Sequence, residues 1–245
     1  MNATFAVLVL GSAGAVTGSF VSTAALRTAR GEQVLGGRSH CDGCDRSLSL
    51  VETIPLVSYV AGRGRCSSCR SKINPAHPLS EMAGAAAAIA LGLTLAWPAA
   101  FLLCVLGAAL LAASLIDIRT QRLPNVLTLL VAVCAALLAA RKGLGELRTG
   151  VIAAAIAAVV LILVRQVFLR FRGDPSLGLG DVKLIAALAL WLGPLTAEMV
   201  AGAALIALVL HVASQATSDR LPFGPMLASA AWCMGVTMEL GLWPK

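Results

Sequence analysis

Apolar residues in this chain neither alternate with polar ones nor recur on a single helical face; they come in long, nearly unbroken runs. The runs cover residues 5–26, 81–96, 99–116, 125–140, 151–168, 181–192, 197–213 and 225–242, and a polar stretch at 27–79 separates the first from the second. Runs this uniform predict helices surrounded by lipid, where every backbone amide must find its partner within its own helix. A perpendicular crossing takes about 20 residues, more than several runs provide, so the expectation of about eight transmembrane helices rests on the number of runs. The predicted fold is an all-α polytopic membrane protein with one long polar loop after helix 1. No internal repeat is evident.

Composition supports the bilayer as solvent. With 58% hydrophobic and 13% charged residues and a mean hydropathy of +0.87, a soluble domain would lack polar side chains to cover its outside. Ala, Leu, Val and Gly do most of the filling, and such small residues let helices approach closely in lipid. Met1-Asn2-Ala3-Thr4 puts no positive charge before the first run, which is long enough to span, so a cleaved signal peptide is not expected.

The formal net charge of +7 changes the picture only by giving the spans a direction. Seven arginines and Lys72 lie in the 27–79 loop, which places it in the cytoplasm. Counting spans puts the turns at 117–124, 169–180 and 214–224 on the same side, with Arg119, Arg122, Arg170, Arg172 and Arg220. The turn at 141–148 falls on the opposite side, yet carries Arg141, Lys142 and Arg148 against the bias. No soluble basic domain stands apart from the spans, so nucleic acid is not an expected partner.

Seven cysteines divide into two kinds. Cys104, Cys134 and Cys233 lie singly within apolar runs and read as small core hydrophobes. The other four form Cys41-Asp42-Gly43-Cys44 and Cys66-Ser67-Ser68-Cys69, with 21 residues between the pairs. Two such pairs make the tetrahedral four-sulfur shell that Zn²⁺ prefers, and a cytoplasmic location keeps thiols reduced. A redox pair or an iron site are the other readings of the spacing. Four sulfurs leave no open position for water, so the zinc would be structural. Arg38, Arg46, Arg65 and Arg70 surround the four and would favour thiolates.

Ionisable groups at the edge of a span are costly and need a reason. Asp117 ends the 99–116 run, where the helix dipole disfavours a negative charge; it serves either to pair with Arg119 or Arg122 or to do chemistry. Asp181 follows Gly178-Leu179-Gly180 and precedes Val182-Lys183, a position equally suited to starting a helix. Both acids fall on the same predicted side at similar depth. Two adjacent carboxyls favour one shared proton, so one can activate water while the other protonates the amide being cut. No serine-protease or metalloprotease signature competes, since His40, His77 and His211 are scattered. Gly178 and Gly180 would let an extended substrate approach Asp181, and Lys183 would either neutralise the pair or contact substrate.

These residues resemble a known family. Gly178-Leu179-Gly180-Asp181-Val182-Lys183 is similar to the Gly-x-Gly-Asp-x-Lys signature of type IV prepilin peptidases, which are Gly-x-Gly-Asp-type aspartic membrane proteases. Asp117 with Leu123-Pro124-Asn125 matches their first aspartate motif, with Asn125 where many members carry Asp. Gly18-Ser19-Phe20, Arg38-Ser39-His40-Cys41, Pro78-Leu79-Ser80-Glu81 and Pro222-Phe223-Gly224-Pro225 fit as well, whereas Pro75-Ala76-His77-Pro78 departs from the expected Arg-Tyr-Pro. The resemblance implies catalytic Asp117 and Asp181, with Gly178, Gly180 and Lys183 in the substrate motif. It implies cleavage of the basic leader of type IV prepilins or type II secretion pseudopilins after a glycine, on the cytoplasmic face of the bacterial inner membrane. It further implies N-methylation of the new N-terminus from S-adenosylmethionine, associated with the cysteine loop. The expected organisation is transmembrane helix 1 at 1–26, a zinc-binding loop at 27–79 and a transmembrane aspartic peptidase domain at 80–245. Two other readings are a presenilin-like intramembrane protease and a non-enzymatic, zinc-stapled assembly or transport protein. Oligomeric state is not legible.

Overall fold

The structure, a computed structural model, describes residues 3–34, 36–173, 177–214 and 222–243. Arg220, expected on a basic turn, lies outside the described residues. Those described form helices α1 (Ala3–Arg30), α2 (Val57–Ala61), α3 (Ala76–Thr94), α4 (Trp97–Thr120), α5 (Asn125–Lys142), α6 (Leu144–Arg172), α7 (Leu179–Leu192), α8 (Thr196–Ser214) and α9 (Gly224–Glu239), with no strand among them. Each of the eight apolar runs lies largely within a helix of its own, with the runs at 81–96 and 225–242 extending past the ends of α3 and α9. Among the described residues five stretches are long and apolar enough to cross a membrane: α1, α4, α5, α6 and the continuous α7–α8 run.

Ends differ from the apolar runs because capping, not hydropathy, stops a helix. The sixth helix reaches Arg172, beyond its apolar residues, until Gly173 takes a left-handed φ of 72° and its N–H closes on the Leu169 carbonyl. The fourth continues past Asp117 to Thr120, so that acid sits inside the last turn. Pro225 lies in the first turn of the ninth, where its fixed φ suits it.

The chain divides into two compact units, Met1–Ala100 and Phe101–Lys245. In the first, α1 and α3 cross at glycines. A Cβ on Gly14 would run into the Gly84 carbonyl, and one on Gly18 into that of Ser80. Backbones this close are the lipid-phase alternative to large interlocking side chains. The Arg27 guanidinium, 8% exposed, leaves α1 and donates to the carbonyls of Val34, Gly36 and Arg38, tying down the start of the loop.

In the second unit α7 is the hub, with α5, α6, α8 and α9 packed around it. Leu184, Ile185 and Leu188 on α7 are fully buried. Helix α6 instead turns Val151, Ile156, Val159 and Leu163 outward, as a lipid-facing helix must. The carboxylate of Glu239, 3% exposed, pairs with Arg141 at 2.6 Å and Lys142 at 2.7 Å and accepts the Trp191 indole N–H at 3.0 Å. Two of the three cations that break the charge bias thus have a structural task. Of the lone cysteines, Cys134 is in the core, but Cys104 is half-buried and Cys233 exposed on α9, where apolar surroundings would be lipid.

Candidate functional site

The cysteine loop is a repeated unit that the sequence hides. In each Cys-x-x-Cys segment the residue before the first cysteine bridges one seven positions on: His40 with Ser47, Arg65 with Lys72. The Cys41 amide donates to the Arg46 carbonyl and the Cys66 amide to that of Ser71, each at 2.9 Å. Asp45 and Arg70, following the second cysteines, take positive φ of 54° and 59°. The two segments share little besides cysteine, because backbone hydrogen bonds rather than side chains shape the knuckle. Glu52 joins them. It accepts two bonds from Arg46 of one knuckle and one from the Ser67 hydroxyl of the other, and Arg46 holds its carboxyl well below the usual range.

All four sulfurs lie within 4.8 Å of one another, and all are free thiols. The Cys41 and Cys69 sulfurs are 3.8 Å apart. A tetrahedral zinc with Zn–S bonds of about 2.3 Å needs sulfurs about 3.8 Å apart, so the quartet fits a metal ion. Backbone hydrogen bonds from Cys69 and Ser68 lower the Cys66 thiol to about 6. The Ser71 hydroxyl lowers Cys69, whereas Cys44, beside other cysteines, is raised to about 11. Arg46 faces Cys66, the role expected of the surrounding arginines; Arg38 instead donates to the Leu48 carbonyl.

The acids of the second unit come together. Asp117, 6% exposed on α4, accepts the Gly224 N–H on Oδ2 at 3.0 Å. It makes no ion pair with Arg119 or Arg122. Asp181 is the third residue of α7, whose N-cap is Gly178. A backbone hydrogen bond from Gly178 reaches its carboxylate, and it lies within electrostatic range of Asp117. The helix-start geometry expected of Asp181 is therefore present.

Glycines around the acids have packing tasks. A Cβ on Gly180 would stand 3.1 Å from that of Leu123, in the Leu123-Pro124-Asn125 segment after Asp117. One on Gly178 would stand 3.1 Å from Asp181 Oδ2. Lys183 donates to the Asn125 side-chain oxygen at 3.1 Å, linking α7 to the start of α5. Gly224 was not among the expected site residues. A Cβ there would meet Asp117 Oδ2 at 2.7 Å, so only glycine can bring its amide to that oxygen. The signal lay in Pro222-Phe223-Gly224-Pro225, which held no group with obvious chemistry.

Fold and site together define a helical membrane protein with paired acids in one unit and a cysteine cluster in the other. Residues 12–95 match the Bacterial Peptidase A24 N-terminal domain and residues 104–214 the Type IV leader peptidase family. A prepilin leader peptidase/N-methyltransferase of Burkholderia pseudomallei is 40% identical over 202 residues, covering 78% of this chain and 64% of that protein. The type 4 prepilin-like proteins leader peptide-processing enzyme of Escherichia coli is 37% identical over 200 residues, 78% of this chain and 72% of the relative. In Pseudomonas aeruginosa a prepilin leader peptidase/N-methyltransferase is 37% identical over 204 residues, 79% and 69% respectively. The chain belongs to the type IV leader peptidase family. It spans 64% of the length of the Burkholderia relative. No solved structure matches it.

Proposed function

We propose that this chain cuts the basic leader from type IV prepilins or type II secretion pseudopilins after a glycine, and N-methylates the new N-terminus with S-adenosylmethionine. The observation that carries the cleavage half is the approach of Asp117 and Asp181 from separate helices, with no cation bridging them among the described residues. One carboxylate draws the proton from water, the water oxygen attacks the peptide carbonyl, and the protonated partner supplies a proton to the leaving nitrogen. Gly224 holds Asp117, while Gly178, lacking a Cβ, leaves the approach to Asp181 open and Gly180 packs against Leu123. Lys183, tied to Asn125, fixes the register of α7.

The work divides along the chain: helix 1 at 1–26, a zinc-holding loop at 27–79 tied to methyl transfer, and the aspartic peptidase at 80–245. Cys41, Cys44, Cys66 and Cys69 hold Zn²⁺ as a structural staple, needed because the loop has few large apolar side chains with which to fold. When bound, S-adenosylmethionine supplies the methyl group. The protein sits in the bacterial inner membrane with its arginine-rich loop and both acids toward the cytoplasm. A prepilin suits that placement, since its basic leader and apolar helix meet at the membrane edge. Co-expression with one prepilin, followed by mass spectrometry of the pilin, tests both halves. A shortened pilin carrying one added methyl at its N-terminus is expected; an intact leader refutes cleavage, and a cut but unmethylated product refutes the methyltransferase half.

A further inference from the structure

The N-terminal unit encloses a cavity of about 400 Å³ between α1, the start of α3 and the inner side of the cysteine loop. That volume is in the range of small-molecule sites, which combine a mostly apolar lining with a few placed polar groups. Here Leu26, Val51, Tyr59 and Ile73 line it; Arg27, Arg30, Arg65 and Lys72 are its lysine and arginine cations, and Asp42, Glu52 and Glu81 its acids. Asp42 is already neutralised by Arg30, 2.8 Å away, and Glu52 by Arg46. Glu81 is not.

Glu81 is 7% exposed and lies near the start of an apolar helix, where a charge is expensive. Its Oε2 accepts the Leu56 N–H at 2.7 Å, and no lysine or arginine among the described residues pairs with it. Leu56 holds that amide in place from a φ of 61°, a conformation unusual for a bulky residue. The nearby imidazole of His77 does not supply the missing charge. It bonds the Ser22 hydroxyl at 3.0 Å, and burial pushes it below its usual value, against the charged form. A buried carboxylate that meets only a backbone amide lacks the cation that would offset its desolvation.

We propose that this cavity binds S-adenosylmethionine and that Glu81 faces one of its two cationic groups, the sulfonium or the α-ammonium, with the adenine against Tyr59 and the apolar wall. The inference rests on the methyltransferase half of the proposed function and gives it a place, in the unit that does not hold the paired acids.

The test uses the full chain, purified in detergent with its zinc. Binding of S-adenosylmethionine is measured by equilibrium dialysis for the wild type, for Glu81→Gln and for Thr23→Phe, which fills the cavity from α1. Both variants are expected to bind at least tenfold more weakly while keeping the wild-type zinc content, which reports that the loop is folded. Ultraviolet cross-linking of labelled S-adenosylmethionine to the unaltered chain needs no variant, and is expected to mark peptides within residues 19–81. Labelling confined to residues 101–245, or wild-type affinity in both variants, overturns the cavity while the proposed activity stands. A wild-type chain that cuts prepilin yet binds no S-adenosylmethionine overturns the methyltransferase reading itself, and this site with it.

Discussion

At the scale of single residues the site depends on a missing side chain as much as on the two acids. Gly224 can bring its N–H to Asp117 only because no Cβ intervenes. Gly224→Val is therefore expected to slow prepilin processing at least tenfold at unchanged zinc content, read as the fraction of pilin cut over time; processing at the wild-type rate would remove Gly224 from the site. Local residue logic singled out Asp117, because a carboxyl at the C-terminal end of a membrane helix has no structural motive, whereas Asp181, at a helix start, had one and drew attention only as its partner. It could not foresee Gly224, since what matters there is the distance to a residue more than a hundred positions away. Asn125 is a second such case. Its side chain accepts from Lys183, and Asn125→Asp would turn that hydrogen bond into an ion pair at an exposed site. A rise in thermal stability of no more than about 1 kcal/mol is expected, measured by melting in detergent.

Elements are held by two devices that hydropathy does not register. The crossing of α1 and α3 requires Gly14, Gly18 and Gly84, and Gly18→Leu would force the backbones apart. Overpacking costs about 1–3 kcal/mol in ordinary cores, and a clash with a carbonyl rather than a flexible side chain belongs at the upper end. A clear fall in melting temperature is the expected result. The cysteine loop is the other device. Its metal-ligand spacing was plain from the sequence, but the repetition of one knuckle was not, because a hydrogen-bond pattern can recur without recurrence of residues. One zinc per chain is expected by elemental analysis. Cys66→Ser should lose it and expose the 31–75 segment to proteolysis; a variant that keeps its zinc would contradict a four-sulfur site. Acid should release the metal as well, because protons compete with it for the thiolates.

Across the whole molecule, the order of eight helices among the described residues followed from apolar runs, whereas α2 within the polar loop did not, and five stretches rather than eight qualify as spans. Their lengths followed less well: the left-handed Gly173 after α6 and the continuation of α4 to Thr120 lie outside what hydropathy measures. The meeting of Asp117 and Asp181 was an expectation from depth and side alone. It depends on α7 packing among its neighbours, which no local pattern specifies. The same packing buries Glu239 against Arg141, Lys142 and Trp191. Glu239→Gln should cost about 2 kcal/mol by melting in detergent, between the values for exposed and buried pairs, because both cations are about one-third exposed. The central claim is that the paired acids act as one catalytic unit, and prepilin cleavage by Asp117→Asn, Asp181→Asn and the double variant tests it most directly. Members of one unit are not additive, so each single change should abolish cleavage as fully as both together. A single variant that still cuts at the wild-type rate would contradict the account.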